Sequence, residues 1–261
     1  MYKPKTDLMD DSDTYIQKKD FFASLLTIYG RKPVTEALED PSIKPYRLHL
    51  AETNRPSPPI KAMMDIAERK GAEICHHSRD ALSRISKNRR QDQGVVLDIK
   101  APNYQDAKNL DPSIHSRIIA LENVTNPQNI GMTIRSVGAS PSSGVLLAKQ
   151  GNAPLDGLVI KSSAGTLFKT PIFYCDQLLE EVSSLSKRGF KIVGLTGQAN
   201  QTLAEVVSDA PGIFILGNET SGLSQKMIDC CDELVKIPMS NNVESLNVSV
   251  AAALVAFQGA L

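Results

Sequence analysis

The sequence predicts an α/β protein in two units, the larger built on a mostly parallel sheet and preceded by a small α/β domain. Three observations predict this. From residue 117 onward, short aliphatic runs alternate with helical stretches, the pattern of a parallel sheet covered on both faces. A shorter alternation of the same kind occupies the first hundred residues. Between them, Pro102 to Ser116 holds Pro112 and little periodicity, as a linker would. The expected organisation is a flexible tail over 1–20, a small domain over 21–100, a linker over 101–116 and the larger domain over 117–261.

The tail is polar, with alternating Lys and Asp and no apolar stretch resembling a secretory signal. In the small domain, Pro33–Glu39 reads as a short helix and Tyr46–Ala51 as a strand. Pro58–Lys70 carries Ile60, Met63, Met64 and Ala67 at helical spacing behind a proline-rich entry. Ala72–Cys75 and Gly94–Ile99 are strand-like, with a helix at Asp80–Ser86 between them. In the larger domain, strands are expected at Arg117–Leu121, Gly144–Ala148, Ile172–Cys175, Phe190–Leu195, Gly212–Leu216 and Leu234–Ile237. The clearest helix, Gln177–Lys187, sets Leu178, Leu179, Val182 and Leu185 on one face. The final helix, Val248–Phe257, lines one stripe with Val248, Ala251, Ala252, Val255 and Ala256, small enough for close packing on another backbone.

Composition narrows the function classes. The 261 residues are 41% hydrophobic and 22% charged, ordinary for a globular protein with a real core. No apolar run approaches the ~20 residues of a membrane span. Cys75, Cys175, Cys230 and Cys231 form no CxxC pair and read as free thiols of a reducing, cytoplasmic compartment. His76 and His77 are adjacent and would point to opposite faces of a strand, so no metal is expected. Net charge is zero, yet residues 21–100 carry 14 Lys+Arg against 10 Asp+Glu, while residues 101–261 carry 11 against 14. A basic cluster, Arg84, Lys87, Arg89 and Arg90, is either a solvated helix face or an RNA-facing patch. No GxGxxG follows the first strand and no GxxxxGK[ST] occurs, so any nucleotide-like ligand is held by another device.

Three loops stand out. Asn126-Pro127 reads as a helix N-cap followed by proline at the first helical position. Gly131, a residue costing roughly 1 kcal/mol against alanine within a helix, implies close approach by a backbone or a ligand. Asn129 and Arg135 are separated by about 600° of helical rotation, so Asn129 would have to meet Arg135 from the irregular entry turn. Arg135 is either a plain surface residue or a group matched to phosphate. Gly217-Asn218-Glu219-Thr220-Ser221-Gly222 follows an apolar strand and precedes a helix from Leu223, which puts Glu219 at a crevice beyond the strand end. Ile237-Pro238-Met239 ends the next strand, and Ser245-Leu246-Asn247 leads into the last helix with Asn247 as its N-cap.

The order NPxNxGxxxR, GNExxGL and IPMxxxxxSLNVSVA resembles the signature motifs of the SpoU/TrmH RNA ribose 2′-O-methyltransferases of the SPOUT superfamily, across residues 117–258. Lys161-Ser162-Ser163-Ala164-Gly165 is similar to that family's small-residue stretch between the first two motifs. Residues 25–99 resemble the ribosomal-protein-like RNA-binding domain many members carry.

The resemblance implies a deep trefoil knot in the C-terminal segment, a homodimer, and methyl transfer from S-adenosylmethionine to a ribose 2′-hydroxyl, more in keeping with rRNA than tRNA. Arg135 would be the catalytic residue and Asn129 would orient it. Glu219, Ser245 and Asn247 would complete the polar pocket. Arginine is a poor base at its ordinary pKa, above about 12, which favours a positioning role. The cofactor would lie on backbone groups of Thr196, Gly197, Leu216, Gly217, Asn218, Ile237, Met239 and Leu246. The resemblance also favours the RNA-facing reading of Arg84, Lys87, Arg89 and Arg90. The alternative function is a non-catalytic RNA-binding or ribosome-assembly factor of the same fold.

Overall fold

A computed structural model describes residues 25–41, 43–86, 88–100, 103–155, 157–206 and 210–260. The expected tail over 1–20 and Lys87 lie outside the described residues. Two sheets organise the rest. The first has the order β1-β4-β2-β3, built from β1 (Leu25–Tyr29), β2 (Lys44–Ala51), β3 (Glu73–His77) and β4 (Val95–Lys100). β4 runs antiparallel to β1 and β2, whereas β2 and β3 are parallel. Helices α1 (Arg31–Glu39), α2 (Pro58–Arg69) and α3 (Arg79–Ser86) connect them. β1 is a strand the sequence reading lacks, although its alternating burial is what a strand with one core face requires.

The second sheet, edged by β10 (Gln201–Thr202) and β5 (Tyr104–Asp106), has the order β10-β12-β9-β11-β6-β7-β8-β5 among the described residues, and each of its pairings is parallel. Its central strands are β6 (Arg117–Leu121), β7 (Gly144–Ala148), β8 (Ile172–Cys175), β9 (Lys191–Leu195), β11 (Gly212–Leu216) and β12 (Glu233–Lys236). The aliphatic runs therefore fall where expected, within a residue at the ends of β9 and β12. Alternate residues feed two buried layers. Ile119, Leu121, Val145 and Leu147 face α4 (Pro127–Gly138), α5 (Gly157–Ser162) and α8 (Val248–Phe257). Ile118, Ala120, Leu146 and Ile213 face α6 (Leu178–Lys187) and α7 (Gln225–Asp229).

The expected linker over 101–116 is corrected in part. Tyr104–Asp106 forms β5 and extends the large sheet beside β8. Three residues are too few for periodicity to register. Tertiary contacts hold them: the Tyr104 and Tyr174 rings lie 3.9 Å apart, and Asn103 Nδ2 donates to the carbonyls of Leu167 and Thr170 at 2.7 and 2.6 Å. At the opposite edge lies the still shorter β10 (Gln201–Thr202).

The small-residue stripe of α8 packs on α4, with Ala252 and Ala256 fully buried. Its C-terminus is anchored by Arg117, whose Nη1 donates to the carbonyls of Gln258 and Val255 at 2.6 and 3.3 Å. That half-buried guanidinium, its pKa lowered by desolvation, meets the negative end of the helix dipole. Among the described residues, no helix is long and apolar enough to cross a membrane.

Candidate functional site

The carboxyl ends of β6, β9, β11 and β12 open onto the loops that carry the sequence motifs, at one edge of the parallel sheet, where ligands of open α/β folds bind. Asn126 caps α4 through its side chain, accepting from Gln128 N at 2.9 Å, and Pro127 occupies the first turn. Gly131 is explained by close packing: a Cβ there would collide with Ser162 Oγ and the Val159 carbonyl of α5. The small residue thus lets two helices touch.

The loop after β11 is a tight clasp. Asn218 and Gly222 exchange backbone hydrogen bonds of 3.1 and 2.9 Å. Asn218 Oδ1 accepts from Thr220 N at 2.8 Å and Ser221 N at 3.3 Å, while its Nδ2 donates to the Asn123 carbonyl at 2.8 Å. A Cβ on Gly217 would run into the carbonyl carbon of Gly222 and the nitrogen of Leu223. Glu122, absent from the sequence reading, holds the next turn by accepting from Ser224 N and Oγ at 2.8 and 2.6 Å. Its signal is a buried carboxylate directly after a strand, which sequence pattern does not reveal.

These loops are joined by one directional chain of hydrogen bonds. Ser249 N and Oγ donate to Asn247 Oδ1 at 2.9 and 2.6 Å, as expected for the α8 N-cap. Asn247 Nδ2 donates to Asn129 Oδ1 at 3.0 Å, and Asn129 Nδ2 donates to Glu219 Oε1. The carboxylate at the end can only accept when ionised, so it fixes the orientation of both amides. Asn129, 4% exposed, is the buried hub; Glu219 and Asn247 are exposed beside it.

Arg135 differs from expectation. Asn129 spends its amide on Glu219 and Asn247 and does not orient Arg135. Helical rotation separates them: Asn129 faces the interior, while Arg135 projects from the exposed side of α4 with Met132. Arg135 has no side-chain hydrogen bond or ion pair among the described residues.

Beside the chain lies a cavity of about 500 Å³. Thr196, Gly197, Ile237, Met239 and Leu246 line it, as does Ser245. Leu216, Gly217 and Asn218 do not line it. Leu216 is buried with its carbonyl accepting from Glu122 N at 2.9 Å, and the next two residues form the clasp. Lining groups missed by the sequence reading include Lys236 and Glu244, whose neighbours on the motif were the only available signal. In the basic cluster, Arg84 and Arg90 are exposed, whereas Arg89 pairs with Asp80 at 2.9 Å. The turn carrying Arg89 and Arg90 is fixed by buried Asp92, which accepts from Ser86 Oγ and Gly94 N at 2.9 Å each.

Comparison with known proteins agrees with this geometry. The SpoU rRNA Methylase family model matches residues 116–257, and the model for RNA 2′-O ribose methyltransferase substrate binding matches residues 27–105. Uncharacterised tRNA/rRNA methyltransferases of Mycolicibacterium vanbaalenii and Mycolicibacterium gilvum are each 30% identical, over 87% of this chain and 74% of theirs. The AdoMet-bound rRNA methyltransferase from Sinorhizobium meliloti superposes with a TM-score of 0.63 at 20% identity, covering 98% of this chain and 96% of that one. The SpoU methyltransferase AviRb from Streptomyces viridochromogenes gives 0.62 at 23% identity, covering 92% and 90%. The solved structures speak for the shared fold, and the family model spans more than half the sequence. The chain belongs to the SpoU rRNA methylase family.

Proposed function

We propose that this protein methylates a ribose 2′-hydroxyl of a structured RNA, rRNA in preference to tRNA, using S-adenosylmethionine. The observation that carries the reading is the Asn247–Asn129–Glu219 chain, which ties three sequence-distant loops together beside the cavity. The cavity fits the cofactor: about 500 Å³ lies within the usual range for small-molecule sites. Apolar Ile237 and Leu246 line it, and Gly197 leaves open space where a side chain would stand. When bound there, the cofactor supplies a methyl group activated on a positively charged sulfur. Ser245, on the cavity wall, and Asn247, on the hydrogen-bonded chain beside it, are among the polar groups available there. Thr196, Ile237 and Met239 contribute the surrounding wall.

As the ribose 2′-oxygen bonds to the methyl carbon, the donor's carbon–sulfur bond would break with its electron pair staying on the now neutral sulfur, and the hydroxyl proton would pass to water. Arg135 is the positioning cation: its guanidinium, without a partner among the described residues, can take a backbone phosphate in bidentate geometry and stabilise charge developing on the oxygen. Glu219 keeps the pocket's amides in register.

The protein acts as a homodimer in this reading, with the active site at the subunit boundary. The packed pair α4–α8 leaves Met132, Val250 and Leu254 exposed at 39%, 47% and 43%, an apolar face suited to a second copy. Arg135 shares the exposed side of α4, so dimerisation would bring it to a boundary. A C-terminal trefoil knot belongs to this reading, and Gln258 Nε2, just past α8, donates to the carbonyls of Leu203 and Val206, tying the end of the chain to the segment after β10. Arg84, Arg89 and Arg90 present the small domain's charge to RNA. Four free cysteines agree with a cytoplasmic setting.

The test is radiolabelled methyl transfer from S-adenosylmethionine to total RNA of a strain lacking the gene, followed by identification of the nucleoside. One 2′-O-methylated nucleoside at one rRNA site is the expected result. A methylated base would overturn the ribose assignment. Neither transfer nor cofactor binding would leave the RNA-binding factor as the correct reading.

A further inference from the structure

Away from the cavity, three side chains with metal-ligating atoms converge on the first sheet. His49 lies on β2, and Cys75 and His77 on the neighbouring β3. The register pairs His49 with Cys75 and Ala51 with His77, so alternation puts all three on one face and sends His76 to the other. Their ligand atoms all lie within 4.8 Å of one another.

The surroundings are built to hold them. Asp98, from β4, places Oδ2 3.1 Å from His49 Nε2, and Thr27 Oγ1 of β1 donates to Asp98 Oδ1 at 2.6 Å. With its Nε2 proton on the carboxylate, His49 turns an Nδ1 lone pair outward, 2.9 Å from His77 Nε2. This is the carboxylate–histidine support that orients metal ligands and raises their basicity. His49 is 4% exposed and Asp98 8%, whereas Cys75 and His77 are half-buried and leave a path from solvent.

We propose that His49, Cys75 and His77 form a binding site for a borderline transition-metal ion, with Zn²⁺ the best match to a two-imidazole, one-thiolate set. Tetrahedral Zn²⁺ separates its nitrogen and sulfur ligands by roughly 3.3–3.6 Å, so the two imidazole nitrogens need to part by only a few tenths of an ångström. On binding, His77 moves its proton from Nε2 to Nδ1, and the Cys75 thiol releases its proton to solvent. Glu73 pairs with Arg47 through Oε2 at 2.6 Å and accepts from Cys75 Sγ through Oε1 at 3.4 Å, so the fourth position falls to that carboxylate or to water. The ion would clip β3 to β2 and, through His49 and Asp98, to β4.

The site is independent of the methyltransferase reading and is tested without it. Co²⁺ is titrated into the metal-stripped full-length protein, with absorption recorded and Zn²⁺ then added. One equivalent should produce a thiolate-to-cobalt charge-transfer band that Zn²⁺ abolishes. Cys75→Ser, checked for folding by circular dichroism, should lose the band, while the Cys230→Ser/Cys231→Ser double variant keeps it. Asp98→Asn should weaken Zn²⁺ binding by about 10- to 100-fold. No band at one equivalent, or a band that survives Cys75→Ser, would overturn the proposal.

Discussion

Asn129 illustrates how much one side chain can carry. The oxygen and nitrogen of its carboxamide are committed in opposite directions, accepting from Asn247 and donating to Glu219, residues 118 and 90 positions away. An aspartate there could not donate to Glu219, and an alanine would leave both partners unpaired. Arg135 shows the converse, a guanidinium without a side-chain partner among the described residues. Arg135→Ala should therefore lower methyl transfer by at least about 10²-fold, as loss of one charge-stabilising donor does, while cofactor affinity measured by calorimetry stays nearly unchanged. Two cysteines give a pH test. Burial pushes the Cys175 and Cys231 thiols up to about 12. At pH 8 about one in 10⁴ is thiolate, against roughly a quarter for an ordinary thiol of pKa ~8.5. Mass spectrometry should find both unalkylated in the native protein and modified after denaturation. The unfolded chain loses these protons first, so their stabilising contribution is complete below about pH 8.5 and declines as pH rises toward 12.

At the scale of elements, the decisive pieces are the turns that follow β6, β11 and β12. The clasp between Asn218 and Gly222 depends on Gly217, where a Cβ would meet backbone that cannot swing aside. Gly217→Ala should cost about 1–3 kcal/mol from overpacking and lower Tm by several degrees. It should also reduce turnover, because Glu219 rides on the same loop; a calorimetric scan and a methyl-transfer assay check both. Helix α8 was legible in advance from its small-residue stripe, which does pack on α4. Its anchoring by Arg117 was not, since that arginine lies more than a hundred residues earlier.

Across the whole molecule, the strand order brings β9, β11 and β12 side by side, although other elements separate them in sequence. That order gathers the motif loops on one edge of the sheet. It also leaves α4 and α8 presenting Met132, Val250 and Leu254 outward. If a second copy covers that face, Val250→Glu with Leu254→Glu should convert dimer to monomer in sedimentation while far-ultraviolet dichroism is retained. A wild-type protein already monomeric at micromolar concentration would refute the proposed assembly.

By itself the sequence determined the α/β class, the principal strands of the large sheet, the helix caps at Asn126 and Asn247, and the membership of the three motifs in one family pattern. The strands and caps are local properties, set by aliphatic periodicity and turn chemistry within a few residues, whereas the family pattern rests on the resemblance of the motifs. Tertiary structure decided the rest. It put Asn129 on Glu219 and Asn247 and off Arg135, because helical rotation turned the two residues of α4 to opposite sides. It removed Leu216, Gly217 and Asn218 from the cavity wall by spending them on the sheet and the clasp, and drew Tyr104–Asp106 out of the linker into a sheet edge. It also set His49 beside Cys75 through a strand register that no local pattern encodes. Each outcome depends on contacts between residues far apart in the chain, whose pairing is fixed only when the sheets form.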